Sequence, residues 1–540
     1  MRKEMNRSLV KGYLKASGRD VVNGDGEIVL LNGWGLGNWL LCEGYMWLNR
    51  NDRFTRPRRI ERVVQELAGT EFSEYFWKEF RRRYTTKDDV RLMAELGYNS
   101  VRIPFNWRIL LEDEPGLIWK EEGFALLDNC IDWCEEYGIY AFIDMHGAPG
   151  GQTGANIDDS IDDMPRLFMD KDSWDKGIAI WEKIAQRYAD RWIVGGYDLL
   201  NEPIRPGREG IVDCDHLVPK LAQFYDEAIA AVRKHDAKHM LSIEGHHWAT
   251  ATGIFTKRFD DNMVIHFHRY GCMPDLNSFK EFLELSEQLN QPLWLGETGE
   301  NLLEWFSAMY PLSADLGVGY NLWPWKKMDT DNSPLSVNKP AQWEKIGEYI
   351  KGGVRPSYEE AQGILREYLD NMLWNNCTFN KAVTPACLRQ SGCAVRATDF
   401  DLFPGKGMSF SGIRSDTPAD QYRAYSNMCI KNKKEKEKEF FFDCGWDSFI
   451  LEMEQGEFAV YSIYDTSEND TVSLELLALE DAVIDVLADE KLIGTLEIKK
   501  SETSDFIASG SMALPKAENI SVKIQVKSGK IQLDRVIFGK

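Results

Sequence analysis

Eight short apolar runs, each followed by a stretch of helical periodicity, fill the chain from about residue 28 to residue 352. They are IVLLNGWGLGNWLL, NSVRIPFN, YAFIDMHG, YDLLNEP, MLSIEGHHW, MVIHFHRY, PLWLGETGE and VGYNLWPW. Continuous apolar runs indicate buried parallel strands, and apolar residues spaced three or four apart indicate amphipathic helices. Eight strand–helix units in roughly 320 residues predict an α/β fold, a (β/α)8 TIM barrel.

An open, doubly wound parallel sheet is the alternative. Such a sheet would need a glycine loop that cradles phosphate after an early strand. The segment NGWGLGN has Gly33, Gly35 and Gly37, but Trp34 and Trp39 crowd them. The segment is a poor phosphate cradle, which favours the barrel.

The pattern changes after residue 352. Residues 353–376 predict one more helix, and from about residue 378 the chain consists of short segments with alternating polarity, such as EFFFDCGWDSFILEMEQGEFAVYSIYD. Alternation with a period of two at short spacing predicts a C-terminal all-β sandwich of jelly-roll type. We therefore expect a barrel domain over residues 1–376 and a sandwich over residues 377–540. The charged run KNKKEKEKE, residues 431–439, is interpreted as a solvated loop.

The net charge and the cysteine content limit which classes of partner and which cellular compartment we expect. The formal net charge is −22, which argues against nucleic acid and anionic membranes as partners. No apolar run is long enough to span a membrane, and the first twenty residues lack the apolar core of a signal peptide. The 10 Cys are scattered, and Cys130 and Cys134 are one helical turn apart, as in a packed helix face. We expect reduced thiols and a cytoplasmic location.

Polar and aromatic residues end nearly every predicted strand. In a (β/α)8 barrel the chemistry lies at these carboxyl ends, so the residues are candidates for one site. In strand order they are Asn38, Trp39 and Glu43; Arg102 and Asn106; Asp144 and His146; Asn201 and Glu202; His246, His247 and Trp248; His266, His268 and Tyr270; Glu297; and Trp323 and Trp325.

Two carboxylates stand out at these strand ends. Glu202 follows the apolar fourth strand and Glu297 follows the apolar LWL of the seventh. Glycoside cleavage needs one carboxyl group that protonates the leaving oxygen and another that attacks or activates water. The 18 Trp suit the same chemistry, because indole rings stack on sugar faces, although core packing explains them as well.

The histidines allow a competing interpretation. His266 and His268, or His246 and His247, could bind a metal together with Glu297 and Asp144, as in barrel hydrolases. Neighbouring residues on a strand face opposite sides, so only one of His246 and His247 can point inward. We prefer a role in holding substrate hydroxyls and predict neither a metal nor a cofactor.

These motifs resemble glycoside hydrolase family 5, in the clan whose acid/base and nucleophile lie on strands 4 and 7. The resemblance covers about residues 20–350 and rests on the order of several motifs along the chain. It implies that Glu202 of NEP is the acid/base and Glu297 of WLGETG the nucleophile. The other family positions are matched by Arg102 in SVRIPFNW, His146 in DMHGAPGG, Asn201 in NEP, His268 and Tyr270 in HFHRY, and Trp323 in NLWPW.

Within this family the chain is similar to exo-β-1,3-glucanases and related β-glucosidases. LNGWGLGNWLLCEGYMW resembles their entry segment, which implies that Trp39 and Glu43 meet the terminal sugar. Two departures stand out: Asn38 replaces the second glycine before the tryptophan, and Thr153 stands where a sugar-binding asparagine is expected. The pocket is therefore expected to accept a different sugar or linkage.

The resemblance implies a retaining, exo-acting β-glycosidase that acts on a β-linked glycoside or oligosaccharide without a cofactor. An endo-β-glucanase with an open cleft, a hydrolase that releases a disaccharide and a non-catalytic sugar-binding protein are the alternatives. The C-terminal region is diffusely similar to carbohydrate-binding modules of family 6 or 35, through ATDFD, WDSFILEMEQGEFAVYSIYD and GKIQLDRVIF. That similarity leaves open whether the region binds sugar or shapes the entrance to the barrel.

Overall fold

A closed barrel of parallel strands forms the N-terminal part of the protein. The structure is a computed structural model that describes residues 7–401, 409–412, 422–433 and 438–539. The barrel strands are β1 (Asn32–Gly35), β2 (Ser100–Asn106), β3 (Tyr140–Gly147), β4 (Val194–Asp198), β5 (Met240–Glu244), β6 (Met263–Arg269), β7 (Leu293–Gly299) and β8 (Gly319–Trp323). β8 pairs in parallel with β1, which closes the sheet. The predicted TIM barrel is confirmed.

Helices surround the barrel in the expected alternation. After β1 come Pro57–Ala68, Thr70–Tyr84 and Lys87–Glu95, and after β2 to β4 come Glu121–Tyr137, Lys171–Tyr188 and Val218–Arg233. The later helices are His246–Ala249, Lys280–Leu289, Leu303–Asp315, Trp343–Ile350, Tyr358–Asn371 and Val383–Leu388. Short 3₁₀ helices lie at Arg7–Leu9, Gly44–Trp47, Asp52–Phe54, Trp107–Ile109, Arg166–Phe168, Asp215–Leu217, Leu276–Ser278, Trp374–Asn376, Ala397–Asp399, Ala424–Ser426 and Trp446–Ser448.

The barrel strands are apolar throughout because both of their faces are covered. Every residue of β2, β3 and β7 is buried, between the surrounding helices and the barrel interior. Inside the barrel the rings of Phe142 and Trp294 approach to 4.5 Å between centroids. A cluster of buried apolar side chains fills the core, and the charged candidates cluster towards the carboxyl ends of the strands.

Two strands end earlier than their apolar runs predict. β1 covers only Asn32–Gly35, so Asn38, Trp39 and Glu43 lie on the loop that follows it. β5 ends at Glu244, and His246 begins a separate four-residue helix. Side chains after such breaks no longer alternate as strand residues do, so their directions depend on the loop.

Two antiparallel sheets form the C-terminal part, as predicted. One contains Cys429–Asn432, Phe449–Glu454, Lys530–Gly539, Thr471–Ala478 and Ile507–Ala508, with Ala394–Arg396 and Met512–Ala513 attached. The other contains Phe410–Ser411, Phe458–Thr466, Ala517–Ser528, Ala482–Ala488 and Lys491–Ile498. Burial alternates along Ala482–Ala488 and Ala517–Ser528, which gives the second sheet one apolar face.

Smaller elements extend the barrel. Lys15–Ser17 and Asp20–Val22 form a hairpin. A three-stranded sheet contains Lys326–Met328, Leu335–Val337 and Thr378–Phe379. The first two strands belong to the segment after β8, and residues 378–379 pair with the second of them. Of the run interpreted as a solvated loop, residues 434–437 lie outside the described residues.

The two parts of the chain pack directly on each other. The Arg389 Nε donates to the carbonyl oxygen of Ser307 at 2.8 Å, and the Ser307 hydroxyl donates to the carbonyl oxygen of Ala394 at 2.6 Å. The Tyr422 hydroxyl donates to the carbonyl oxygen of Pro274 at 3.0 Å, on the loop after β6. The sheets therefore lie beside the end of the barrel that carries the candidate residues.

None of the helices in the described ranges combines the length and the apolar character that crossing a bilayer requires.

Candidate active site

Arg102 lies at the centre of the polar cluster inside the barrel mouth. Its guanidinium donates to Asp198 at 2.8 Å (Nε), to Glu297 at 2.6 Å (Nη1) and to Asn201 at 2.8 Å (Nη2). Nη2 also lies 3.1 Å from an oxygen of Asp144. Burial lowers the pKa of Arg102, but the surrounding carboxylates raise it above its ordinary value, so the guanidinium stays charged.

Both carboxylate oxygens of Glu297 accept hydrogen bonds. The hydroxyl of Tyr270, the residue after β6, donates to Oε1 at 2.9 Å, while Arg102 donates to Oε2. Burial raises the pKa of Glu297, but His268 and Arg102 lower it, and the net pKa lies below the ordinary value. Glu297 is therefore an ionised carboxylate in a fixed orientation, as a nucleophile requires.

Hydrogen bonds with two side chains fix the main chain of Glu202. Its φ is 45°, in the left-handed region, and its N–H donates to Oε2 of Glu244 at 2.6 Å. The Thr153 hydroxyl donates to its carbonyl oxygen at 2.6 Å. Such a conformation costs free energy in a residue with a side chain, and the surrounding hydrogen bonds stabilise it.

The carboxyl group of Glu202 differs from that of Glu297 in its protonation. His268 Nδ1 lies 2.7 Å from Oε1 of Glu202. Burial raises the pKa of Glu202, the contact with His268 lowers it, and the charge of Glu297 raises it again, to about 8. The carboxyl group is therefore protonated near neutral pH, as a general acid requires.

The two catalytic candidates lie close together. One carboxylate oxygen of Glu202, one of Glu297 and one ring nitrogen of His268 all lie within 4.8 Å of one another. The carboxyl groups are buried, with 7% of Glu202 and 5% of Glu297 exposed. For comparison, the carboxyl groups of retaining glycosidases lie about 5–5.5 Å apart and those of inverting ones about 6.5–9.5 Å apart.

Two stacked aromatic rings, Trp323 and His146, lie beside the two carboxyl groups and are called the aromatic floor below. The rings of Trp323 and His146 are stacked, with centroids 5.0 Å apart and an interplanar angle of 7°. Trp323 Nε1 donates to the Tyr45 hydroxyl at 2.9 Å. A Cβ on Gly35 would lie 2.4 Å from the Trp323 ring and one on Gly37 2.8 Å, so these glycines make room for the indole.

His146 links this floor to Asn201. Its Nδ1 lies 2.7 Å from Asp144, and its Nε2 lies 3.2 Å from the Asn201 amide nitrogen. Burial and the charge of Arg102 lower the pKa of His146 to about 3. The neutral ring thus donates through Nδ1 to Asp144 and accepts from the amide of Asn201, a tautomer inferred from these partners.

Glu43 adds another carboxyl group to the site. It is buried, and the Asn156 amide donates to its Oε2 at 3.0 Å from the loop after β3. Burial and the charge of Glu297 raise the pKa of Glu43 well above its ordinary value. Glu43 is therefore a hydrogen-bonding group within the electrostatic reach of the nucleophile candidate.

The sequence interpretation missed two buried carboxylates of this site. Asp198 ends β4; burial raises its pKa, but its contacts with His266 and the Arg102 guanidinium lower it, and the net pKa lies below the ordinary value. Glu244 ends β5, and burial and the charge of Asp198 raise its pKa. Glu244 follows the apolar MLSI directly, which is the signal that could have identified it.

The structure places two groups of candidates outside this cluster. Trp39 was expected at the sugar, but its Nε1 donates to the carbonyl oxygen of Arg81, on the helix Thr70–Tyr84. His247 was offered as a possible metal ligand, but its φ is 55° and its Nε2 contacts Asp215 at 2.7 Å. His246 adjoins it on the same short helix after Gly245, so neither residue of this pair lies on a barrel strand.

The two departures from the family pattern have structural roles. Asn38 has a φ of 67°, which asparagine tolerates better than most residues, and its Oδ1 accepts from Trp47 Nε1 at 2.6 Å. Thr153 holds the carbonyl oxygen of Glu202, as described above. Both residues shape the backbone around the site.

Two sets of three side chains within the described residues have metal-ligand spacing. They are Glu244, His266 and His268, and Glu202, His268 and Glu297. All five residues are buried and share the hydrogen bonds of the carboxylate cluster. The geometry alone is compatible with either a metal site or a two-carboxylate site, which a chelator experiment separates.

Comparison with known proteins identifies the barrel. Residues 61–329 match the sequence profile described as cellulase, glycosyl hydrolase family 5. That range runs from the first helix after β1 to the segment after β8, and includes both catalytic candidates.

Three curated relatives illustrate the range of the similarity. A beta-xylosidase of Phanerodontia chrysosporium is 36% identical over 44% of this chain and 47% of its own length. A probable glucan 1,3-beta-glucosidase A of Emericella nidulans is 32% identical over 39% of this chain and 50% of its own length. Endoglucanase C of Acetivibrio thermocellus is 24% identical over 49% of this chain and 92% of its own length. The chain thus spans about half the length of the two fungal relatives.

Proposed function

Because the chain carries a glycosyl hydrolase family 5 domain, we propose that it is a retaining, exo-acting β-glycosidase of the β-glucosidase or exo-β-glucanase type. One observation carries the proposal: two adjacent buried carboxyl groups, Glu202 and Glu297, with pKa values shifted in opposite directions. One protonated and one ionised carboxyl group within 4.8 Å is the arrangement that double displacement needs.

In the first step, Glu297 attacks the anomeric carbon while the bond from that carbon to the leaving oxygen breaks. Glu202 transfers its proton to the leaving oxygen, which departs as a neutral alcohol. The hydrogen bonds from Arg102 and Tyr270 to Glu297 support this role, because they fix the orientation of the carboxylate and keep it ionised.

In the second step, the now ionised Glu202 takes a proton from water, and the water oxygen attacks the anomeric carbon. The bond to Glu297 breaks, and the sugar leaves with its original anomeric configuration. His268, 2.7 Å from Glu202, is placed to stabilise the ionised form between the steps.

The surrounding residues suit a pyranose ring. Trp323, backed by His146, offers the flat face on which sugar C–H groups stack. Asn201 is held by Arg102 and is proposed to bind the 2-hydroxyl, a contact that strengthens in the transition state. Glu43, held by Asn156, is proposed to bind hydroxyls of the terminal sugar, the role that exo action would give it.

The test is hydrolysis of a panel of aryl β-glycosides and β-disaccharides by the wild type, Glu297→Ala and Glu202→Ala. We expect both substitutions to abolish or cripple turnover, and azide to rescue Glu297→Ala with formation of an α-glycosyl azide. NMR of the first product is expected to show the β-anomer. Full activity of Glu297→Ala, or an α-anomer as first product, would refute the mechanism.

A second candidate function is release of a disaccharide or cleavage within a chain. A cavity of about 1060 Å³ lies beside the site and is lined by Tyr45, Arg50, Glu300, Lys327 and Phe441, among others. Tyr45 also holds Trp323, so the cavity adjoins the aromatic floor. A space of this size can hold more than one sugar, which favours substrates that extend beyond the cleaved unit.

Product analysis separates the two candidates. Oligosaccharides of increasing length, labelled at the reducing end with 18O, are digested briefly and analysed by mass spectrometry. An enzyme that releases one terminal sugar at a time yields, at all early times, a monosaccharide and an oligosaccharide that is shorter by one unit. An unlabelled disaccharide as the first product, or internal cleavage, would support the second candidate instead.

A further inference from the structure

An aromatic side chain from the C-terminal sheets reaches a residue of the active site. Phe442, in the segment that follows the strand Cys429–Asn432, lies with its ring 4.7 Å from that of Tyr270, at an interplanar angle of 22°. Tyr270 in turn donates its hydroxyl hydrogen to Oε1 of Glu297 at 2.9 Å. Two contacts thus connect the C-terminal part of the chain to the proposed nucleophile.

The segment that carries Phe442 is held against the barrel. The Asn301 amide donates to the carbonyl oxygen of Phe442 at 3.4 Å. Gly271, at a φ of 56°, lies so close that an added Cβ would be 3.1 Å from the same carbonyl oxygen. The Cys444 thiol contacts the carbonyl oxygen of Cys272 at 3.4 Å. The Phe442 ring is therefore placed by the loops that follow β6 and β7.

Tyr270 needs such support. It is the first residue after β6, which ends at Arg269, so the sheet does not fix its ring by pairing. Ring contacts with centroids ~4.5–7 Å apart are favourable, and the Phe442 contact lies in this range. A tilt of the Tyr270 ring would lengthen the hydrogen bond to Glu297 and free one carboxylate oxygen.

We propose that Phe442 is a positioning residue for Glu297, acting through Tyr270, and that the C-terminal sheets are thereby a working part of the catalytic unit. The proposal rests on the proposed function of Glu297 as nucleophile. It differs from a sugar-binding role of the C-terminal sheets, because it concerns the rate of the chemical step and not the capture of polymer.

A double-mutant cycle on the full chain tests the proposal. The aryl β-glycoside turned over by the wild type is used with Phe442→Ala, Tyr270→Phe and the double variant. We expect Phe442→Ala to lower kcat about tenfold with little change in KM, because the nucleophile is misplaced while the sugar pocket persists. In the Tyr270→Phe background, the same substitution is expected to change kcat less than about twofold.

Two further readouts distinguish positioning from loss of structure. Phe442→Tyr keeps the ring and is expected to restore kcat. The acid limb of the pH profile of kcat/KM is expected to move to higher pH in Phe442→Ala, because the hydrogen bond from Tyr270 lowers the pKa of Glu297. Tyr425→Ala removes another C-terminal aromatic residue, which contacts Asp275 on the same loop at 3.2 Å, and is expected to leave kcat within about twofold.

Several outcomes would overturn the proposal. Equal losses in the two backgrounds, an unchanged acid limb, or equal losses in Tyr425→Ala and Phe442→Ala would each refute it. If Phe442→Ala does not fold, as judged by thermal unfolding, Phe442→Leu replaces it in the cycle with the same expectations. Loss of activity in Glu297→Ala together with full activity in Phe442→Ala refutes only this inference, whereas full activity in Glu297→Ala refutes the proposed function.

Discussion

The backbone N–H of Glu202 donates a hydrogen bond of 2.6 Å to Oε2 of Glu244. A carboxylate at the end of β5 thus fixes the main chain that carries the proposed acid/base, which is held at a φ of 45°. Oε1 of the same carboxylate lies 3.2 Å from Nη2 of Arg102, which also holds Glu297. Glu244 therefore contacts the groups that hold both proposed catalytic carboxyl groups.

Replacing Glu244 is expected to slow the reaction without preventing substrate binding. Glu244→Ala should lower kcat by about 10–100-fold, because a small displacement of Glu202 spoils its alignment with the leaving oxygen. Glu244→Gln keeps one acceptor oxygen and should lose less. Steady-state kinetics provide the check, with Glu182→Ala on the outer helix Lys171–Tyr188 as the matched control. Wild-type kcat in Glu244→Ala would contradict the assignment.

The pH dependence of kcat/KM should follow the two shifted pKa values. Glu202 must be protonated, and its pKa is raised to about 8, so activity is expected to fall as the pH rises through about 8. Glu297 must be ionised, and its pKa is lowered, so activity should persist to pH values below the ordinary range of Glu. With an activated aryl leaving group, Glu202→Gln should lose the basic limb. A basic limb that survives in this variant would assign it to another group.

The hydroxyl of Tyr45 should matter for substrate binding. It accepts from Trp323 Nε1 at 2.9 Å and so keeps the indole against His146. Tyr45→Phe removes a hydrogen bond worth roughly 1 kcal/mol and should raise KM about fivefold with a smaller effect on kcat. Tyr349→Phe, on the helix Trp343–Ile350, is the matched control and should behave as wild type. Equal KM values in all three proteins would argue against the aromatic floor.

Chelation should leave turnover unchanged. The proposed double displacement uses two carboxyl groups and no metal, so dialysis against EDTA is expected to preserve kcat. Added Zn²⁺ should inhibit reversibly, because Glu202, His268 and Glu297 have the spacing of metal ligands. Metal analysis of the dialysed protein accompanies the assay. Loss of activity on chelation, restored by a divalent cation, would instead indicate a metal-dependent hydrolase.

Local sequence pattern was sufficient for the barrel and for the order of its principal site residues. Apolar runs that end in polar residues follow from strands that are covered on both faces and that carry the functional groups at the carboxyl edge of the sheet. Glu202 and Glu297 could be chosen because each lies one residue beyond such a run, and the observed structure brings one carboxylate oxygen of each within 4.8 Å of the other.

Where a strand ends within its run depends on tertiary structure. His246 and Trp39 were offered for the site because they follow apolar stretches, but both lie beyond early strand ends, and Trp39 Nε1 donates to the carbonyl oxygen of Arg81. Glu244, two positions before His246, occupies the place inside the barrel. A strand that ends earlier than expected leaves the following side chains on a loop, where they no longer alternate, and local pattern does not determine that end.

The sequence by itself determined the barrel and the all-β C-terminal part and made Glu202 and Glu297 the candidate pair, because each rests on a local pattern of polarity that burial imposes. Only the tertiary structure decided their chemistry. The pKa values of Glu202 and Glu297 move apart through burial and charges on several strands. The contact of Phe442 with Tyr270 joins residues far apart in the chain. Such effects depend on distances in three dimensions, which no local pattern of residues contains.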